Sequence, residues 1–179
     1  MSGGHEGKDD SSPMRLTRTL LPLVAGLIFT LFVSAPAVAD LVQVPGTETS
    51  LQPPQGFLLA AKFPGFERAD LNASIMVTEM RAPAPEVMKA MTQEGLASRG
   101  MKLISSKTET IGGREALLLN VAQTAVGTEY LKWMLVTGDP KNTLIVVGSF
   151  PKTAEGELSE VVRKAVLTTS WSPGGGVTH

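Results

Sequence analysis

The chain has 179 residues, a formal net charge of −1, no cysteine and two histidines. A nearly neutral chain without a basic run offers no handle for nucleic acid or an acidic membrane surface. Without cysteine there are no disulfides and no lipid-modified cysteine. The folded part is therefore held by its apolar core, which one domain of this length can build.

In chain order, Ser2 to Pro13 is polar and acidic, and Met14 is an alternative start. Arg15 and Arg18 form a short basic region before Leu20 to Val33, an apolar run broken only by Pro22, Gly26 and Thr30. Pro36 then precedes Ala37-Val38-Ala39, small residues placed where a signal peptidase cuts, and Asp40 follows. A signal core needs about 7–15 apolar residues and a spanning helix about 20, and this run fits the shorter class. The expectation is export to the periplasm or beyond, with cleavage between Ala39 and Asp40. The alternatives are a retained anchor in the inner membrane, with the domain outside the cytoplasm, and a polar cytoplasmic tail. The expected organisation is a leader at 1–39, one domain at 40–172 and a disordered tail at 173–179.

Leu41 to Val44 reads as a short strand. Pro53-Pro54-Gln55-Gly56 turns into a strand over Phe57 to Lys62, and Phe63-Pro64-Gly65-Phe66 reads as a second turn. Ala73 to Met80 alternates, with Ile75, Val77 and Glu79 on one face and Met76, Thr78 and Met80 on the other. Pro83-Ala84-Pro85 breaks the chain before a helix over Glu86 to Arg99, which presents Val87, Met88, Met91 and Leu96 and is capped by Gly100. Four strands follow: Met101 to Ile111, Arg114 to Thr124, Thr128 to Thr137 and Thr143 to Phe150. The connections Gly112-Gly113, Ala125-Val126-Gly127 and Gly138 to Asn142 are short, so the strands form an antiparallel meander. A final helix over Glu155 to Thr169 carries one apolar stripe of Leu158, Val161, Val162, Ala165, Val166 and Thr169. Thr153 suits its N-cap, and Trp171 closes the domain.

The last three strands of the meander are apolar on both faces. An antiparallel sheet with one wet face would alternate apolar and polar residues. These strands are therefore expected mid-sheet, covered on both sides. The predicted class is α+β: an antiparallel sheet of about six strands with helices on both faces.

Pro53-Pro54-Gln55-Gly56-Phe57 opening a strand, the strand Ser74 to Met80, the helix ending at Gly100, the Gly112-Gly113 hairpin and the C-terminal helix together resemble the PsbP-like superfamily. That group includes the extrinsic P protein of photosystem II, a nuclear Ran-binding protein and bacterial DcrB-like proteins. The resemblance spans residues 40–171. It implies an α/β/α sandwich and a role as an accessory or binding protein, with no shared catalysis, because fold alone does not carry function.

The two histidines are His5, in the leader, and His179, the final residue. A domain without internal histidine or cysteine cannot build a Ser-His-Asp or Cys-His centre or a zinc site of the usual ligands. No enzyme activity, cofactor or metal is expected. Glu79, Glu109, Glu129 and Asp139 could serve acid–base work or bind Ca²⁺, but no calcium-loop spacing accompanies them, and they read as solvated. Arg81, Lys89, Arg99, Lys102 and Lys107 gather around the first helix, interleaved with Glu79, Glu86, Glu94 and Glu109 as in a mixed solvated face. Phe63 and Phe66 are either exposed anchors or core, as are Tyr130 and Trp133. Six methionines, Met76, Met80, Met88, Met91, Met101 and Met134, either fill the core or line an adaptable groove. The candidate binding residues are Phe63, Phe66, Tyr130, Trp133, Arg81 and Arg99. The expected function is an exported non-enzymatic accessory domain with a protein partner in the cell envelope. The alternative is a carrier of a small apolar ligand held between sheet and helix. A carboxylate enzyme or Ca²⁺ binder is a third.

Overall fold

The computed structural model describes residues 40–173. The expected leader, with Ala37 and Ala39, and most of the expected tail lie outside those residues. Asp40 is the first described residue and is exposed.

The chain enters through β1 (Val42–Gln43) and β2 (Thr49–Leu51). These pair antiparallel, and β10 (Ser170–Trp171) adds to β2 from the C-terminal end to complete a small three-stranded sheet. Next come β3 (Leu58–Leu59), β4 (Gly65–Arg68) and β5 (Ala73–Met80). The expected strand over Phe57 to Lys62 is thus only two residues long, and the expected turn at Phe63 to Phe66 is half strand. Gly65 is the reason. Its φ of 144° and its closeness to Ile75, whose carbonyl oxygen would lie 2.0 Å from a Cβ, suit glycine alone. That approach draws the chain into pairing with β5 two residues early.

The predicted helix over Glu86 to Arg99 is two short helices, α1 (Ala84–Lys89) and α2 (Gln93–Ala97). Thr92 makes the break. Its hydroxyl accepts the Gly95 N–H at 3.1 Å and starts a new helix. Met91 and Leu96 both stay buried, so the apolar spacing survives the interruption. α2 ends at Ala97 with Ser98 as its C-cap, and the expected cap Gly100, with φ 71°, lies further on, in the turn that leads into β6.

The meander follows the predicted boundaries closely: β6 (Met101–Ile111), β7 (Arg114–Ala125), β8 (Thr128–Gly138) and β9 (Thr143–Pro151). β9 pairs with β5, giving a seven-stranded antiparallel sheet in the order β3-β4-β5-β9-β8-β7-β6. Gly112 and Gly113 both have positive φ, the primed geometry that matches strand twist in a two-residue hairpin. The β7–β8 turn uses the same geometry, with Val126 at φ 48°.

After a single 3-10 turn comes α3 (Glu155–Leu167). Ala154, not Thr153, occupies the N-cap, and no side chain bonds the first turn. The 3-10 turn absorbs the position where Thr153 would have capped. Within the stripe, Leu158, Val162, Ala165 and Val166 are buried, whereas Val161 is 41% exposed.

The core lies in two layers. On the first face of the sheet, Leu118, Leu131, Leu135, Leu144, Val146 and Phe150 meet α3 and the small sheet through Leu158, Val162, Val166, Val44, Leu51 and Trp171. On the second face, Leu119, Val121, Met134 and Val136 meet Met91 and Leu96. Both faces of β7, β8 and β9 are therefore covered, as their two-sided apolar pattern requires. Each fully buried aliphatic side chain is worth about 1.5–3 kcal/mol. The sheet has seven strands rather than six because β3 and β4 replace the expected long strand.

Candidate functional site

At one end of the sheet, β5 runs out as Glu79-Met80-Arg81 beside the β1–β2 turn, the Asp139–Asn142 turn and β10. Glu48, Glu79, Met80, Arg81, Asn142, Trp171 and Pro173 line a cleft there of about 410 Å³. Glu79 falls on the first face by the alternation of β5, which aims it at the small sheet. Its Oε1 accepts the Glu48 N–H at 2.9 Å and the Thr49 hydroxyl at 2.7 Å. This carboxylate ties the small sheet to the large one.

Asp139 is engaged too. Its Oδ1 accepts the backbone N–H groups of Lys141 at 2.7 Å and Asn142 at 2.8 Å. The Lys141 amide, aided by the Asn142 amides and the Arg114 charge, holds the Asp139 carboxyl below the usual range. It is a turn former already bonded to the backbone. Trp171 closes the cleft on the core side. Arg114 lies 5.5 Å from its ring centroid and donates to its carbonyl at 3.2 Å. The indole Nε1 is buried with no hydrogen-bond partner.

A second groove, of about 320 Å³, opens beside α1 and is lined by Met80, Glu86, Val87, Ala90, Met91, Arg99 and Ile145. A third, of about 450 Å³, follows the outer edge of α3 from Pro54 to Val161. Arg68 bridges that groove to Glu157 at 2.8 Å.

The candidate residues do not form one site. Phe66 is 1% exposed and belongs to the core, so it is no surface anchor. Phe63 is half-buried. Trp133 is partly buried under α3, where its Nε1 donates to the Ser159 hydroxyl at 3.2 Å and Arg163 lies 5.9 Å from its ring. Tyr130 is partly buried on the opposite face of β8. Arg81 lines the first cleft and Arg99 the second, with Met80 between them. Lys132, also on the second face, donates to Gln123 Oε1 at 2.6 Å, and burial pulls its ammonium below the usual lysine range. Among the described residues no group of three or more acidic or metal-ligating side chains is placed to hold an ion. No described helix is long and apolar enough to cross a membrane.

Sequence reasoning missed Glu48, Asn142 and Trp171 as a group. The link from Glu48 and Thr49 to Glu79 spans about thirty residues, and nothing local announces it. Trp171, as the last large apolar residue, was the only available signal.

Against solved structures, LpqN of Mycobacterium tuberculosis, a protein involved in cell envelope biogenesis, superposes with a TM-score of 0.54 at 14% identity. The match covers 75% of this chain and 90% of that one. PA94 of Pseudomonas aeruginosa, a protein of unknown function, gives 0.50 at 17% identity over 75% of this chain and 97% of that one. This chain shares the fold of LpqN and PA94. Cyanobacterial PsbP from Synechocystis sp. PCC 6803 gives 0.48 at 16% identity, covering 74% and 92% of the two chains. Of a Bacteroides thetaiotaomicron structure that it also matches, the chain spans 46%. No protein-family profile and no curated protein matches the sequence. The architecture expected from the PsbP-like resemblance, an antiparallel sheet between helical layers, is the architecture observed.

Proposed function

We propose that this chain is an exported, non-enzymatic accessory domain of the cell envelope that acts by binding a protein partner. The observation that carries the reading is the state of the polar groups around the cleft at the end of β5. Glu79 and Asp139 are both committed to holding backbone and hydroxyl groups of the fold itself. General acid–base work needs a group free to take and give a proton near the operating pH, and the domain contains no internal histidine or cysteine to supply one. Binding is what such a surface does well. The signal-like segment before Asp40 supports export, and the likeness to LpqN supports an envelope role. Arg81 and Met80, both exposed at the cleft rim, are the proposed contact residues.

The groove beside α1 favours a second reading, binding of a small apolar ligand. It is lined mainly by Met80, Val87, Ala90, Met91 and Ile145, and its volume falls at the low end of the range for ligand sites. The groove lies between α1 and the sheet, since Met80 belongs to β5 and Ile145 to β9. In-cell crosslinking of the wild-type chain and of Arg81→Glu, with identification of the crosslinked species, separates the two. A partner lost from Arg81→Glu supports the first reading. Binding of an apolar dye that Met91→Lys abolishes, with no crosslinked protein, supports the second.

A further inference from the structure

We propose that β6 pairs edge to edge with β6 of a second copy of this chain, around a twofold axis at Thr108. β6 is eleven residues long and forms one end of the large sheet, with β7 as its only strand partner among the described residues. Proteins commonly blunt such an edge with a lysine or a bulge. Here a register shift lies between Leu103 and Ser105, so Ile104 bulges out, and the hairpin turn begins at Gly112. The regular stretch left between them, Ser105 to Ile111, is centred on Thr108.

The hydrogen-bond phase suits this pairing. In a two-residue hairpin the flanking residues, here Ile111 and Arg114, exchange both bonds, and hydrogen-bonded and open pairs then alternate. Ile111, Glu109, Lys107 and Ser105 therefore direct their backbone groups at β7. Thr110, Thr108 and Ser106 direct theirs outward. An antiparallel partner centred on Thr108 sets Thr108 against its own copy, and Ser106 and Thr110 against Thr110 and Ser106 of the second copy. All six outward-facing amides then find carbonyl partners.

The side chains complement themselves in the same register. Residues directly opposite share a face. Lys107 of each copy meets Glu109 of the other on one face, while the Ser106, Thr108 and Thr110 hydroxyls meet on the other. Within one chain Lys107 Nζ already lies 2.8 Å from Glu109 Oε1. The edge lysine, usually a repellent, therefore carries its own complement two residues away. Ser105 to Thr108 are exposed, so no described element blocks the approach.

The test is sedimentation velocity over a micromolar to millimolar series, on protein purified from cells expressing the full-length gene. The expected result is a concentration-dependent monomer–dimer equilibrium. Thr108→Pro removes an N–H that β7 does not use, so circular dichroism should be unchanged and the dimer lost. Lys107→Glu and Glu109→Lys should each raise the dimer Kd by about tenfold at low salt, and the two together should restore it. If Thr108→Pro fails to fold, the charge-exchange series decides alone. A monomer throughout the series overturns the proposal. So does a dimer indifferent to these substitutions, or a monomer whose β6 is occupied by a different protein.

Discussion

Gly148 lies directly beneath Val162. A Cβ placed on the glycine would come within 2.1 Å of Val162 Cγ1, so α3 rests on the sheet at a point where no side chain fits. Val162 is fully buried and central in the stripe of α3. Gly148→Ala should therefore destabilise the domain by about 1–3 kcal/mol through overpacking. Val162→Ala in the same chain should recover part of that loss, because the two positions share one contact. Chemical denaturation of the two single variants and the double variant measures the coupling. Strictly additive effects would mean that the helix does not bear on the sheet there.

Phe66 and Phe63 separate core from surface. Phe66→Ala should cost about 3–5 kcal/mol, as expected for a fully buried ring, and Phe63→Ala distinctly less. Melting temperatures of the two variants, measured side by side, check the order. A reversal would remove Phe66 from the core.

Val126 is fully exposed and held at φ 48°, a left-handed conformation that a β-branched residue adopts at a cost. Val126→Asn keeps the turn and relieves the strain, and Asn is favoured at this hairpin position. The variant should be more stable by about 1 kcal/mol. A lower melting temperature would show that the valine has a partner at the hairpin tip.

How much of this was legible in the sequence follows from the range of the forces involved. The meander was readable because Gly112-Gly113 and Asp139-Pro140 fix their turns locally, and because two-sided apolar strands such as Leu117 to Val121 have only one place to go. The helix break at Thr92 was hidden, because the hydroxyl that caps α2 lies inside an unbroken apolar period. β4 was hidden because Gly65 was read as a turn residue, whereas its role is a close approach to Ile75, distant in sequence. The cleft was hidden for the same reason: Glu79 finds Thr49 only after the sheets assemble.

Asp139 gives a pH signature. Its folded-state carboxyl is held below the usual range, first by the Lys141 amide. Its contribution is therefore present above the unfolded-state value of about 4 and lost as pH falls through the lower folded-state value. Asp139→Ala should be less stable than wild type at neutral pH, and the gap should close in acid below that point. Denaturant midpoints of both proteins over a pH series read this directly. A gap that persists into strong acid would mean that the turn does not depend on the charge.

The central claim, an exported domain that works by binding an envelope protein, is tested most directly by photocrosslinking in the native host from a residue analogue at Met80, beside Arg81. The account predicts that the chain isolated from the cell envelope begins at Asp40 and carries one reproducible crosslinked protein, lost when Arg81 is replaced by glutamate. A chain recovered uncleaved from the cytoplasm, with no crosslinked protein at that position, would contradict it.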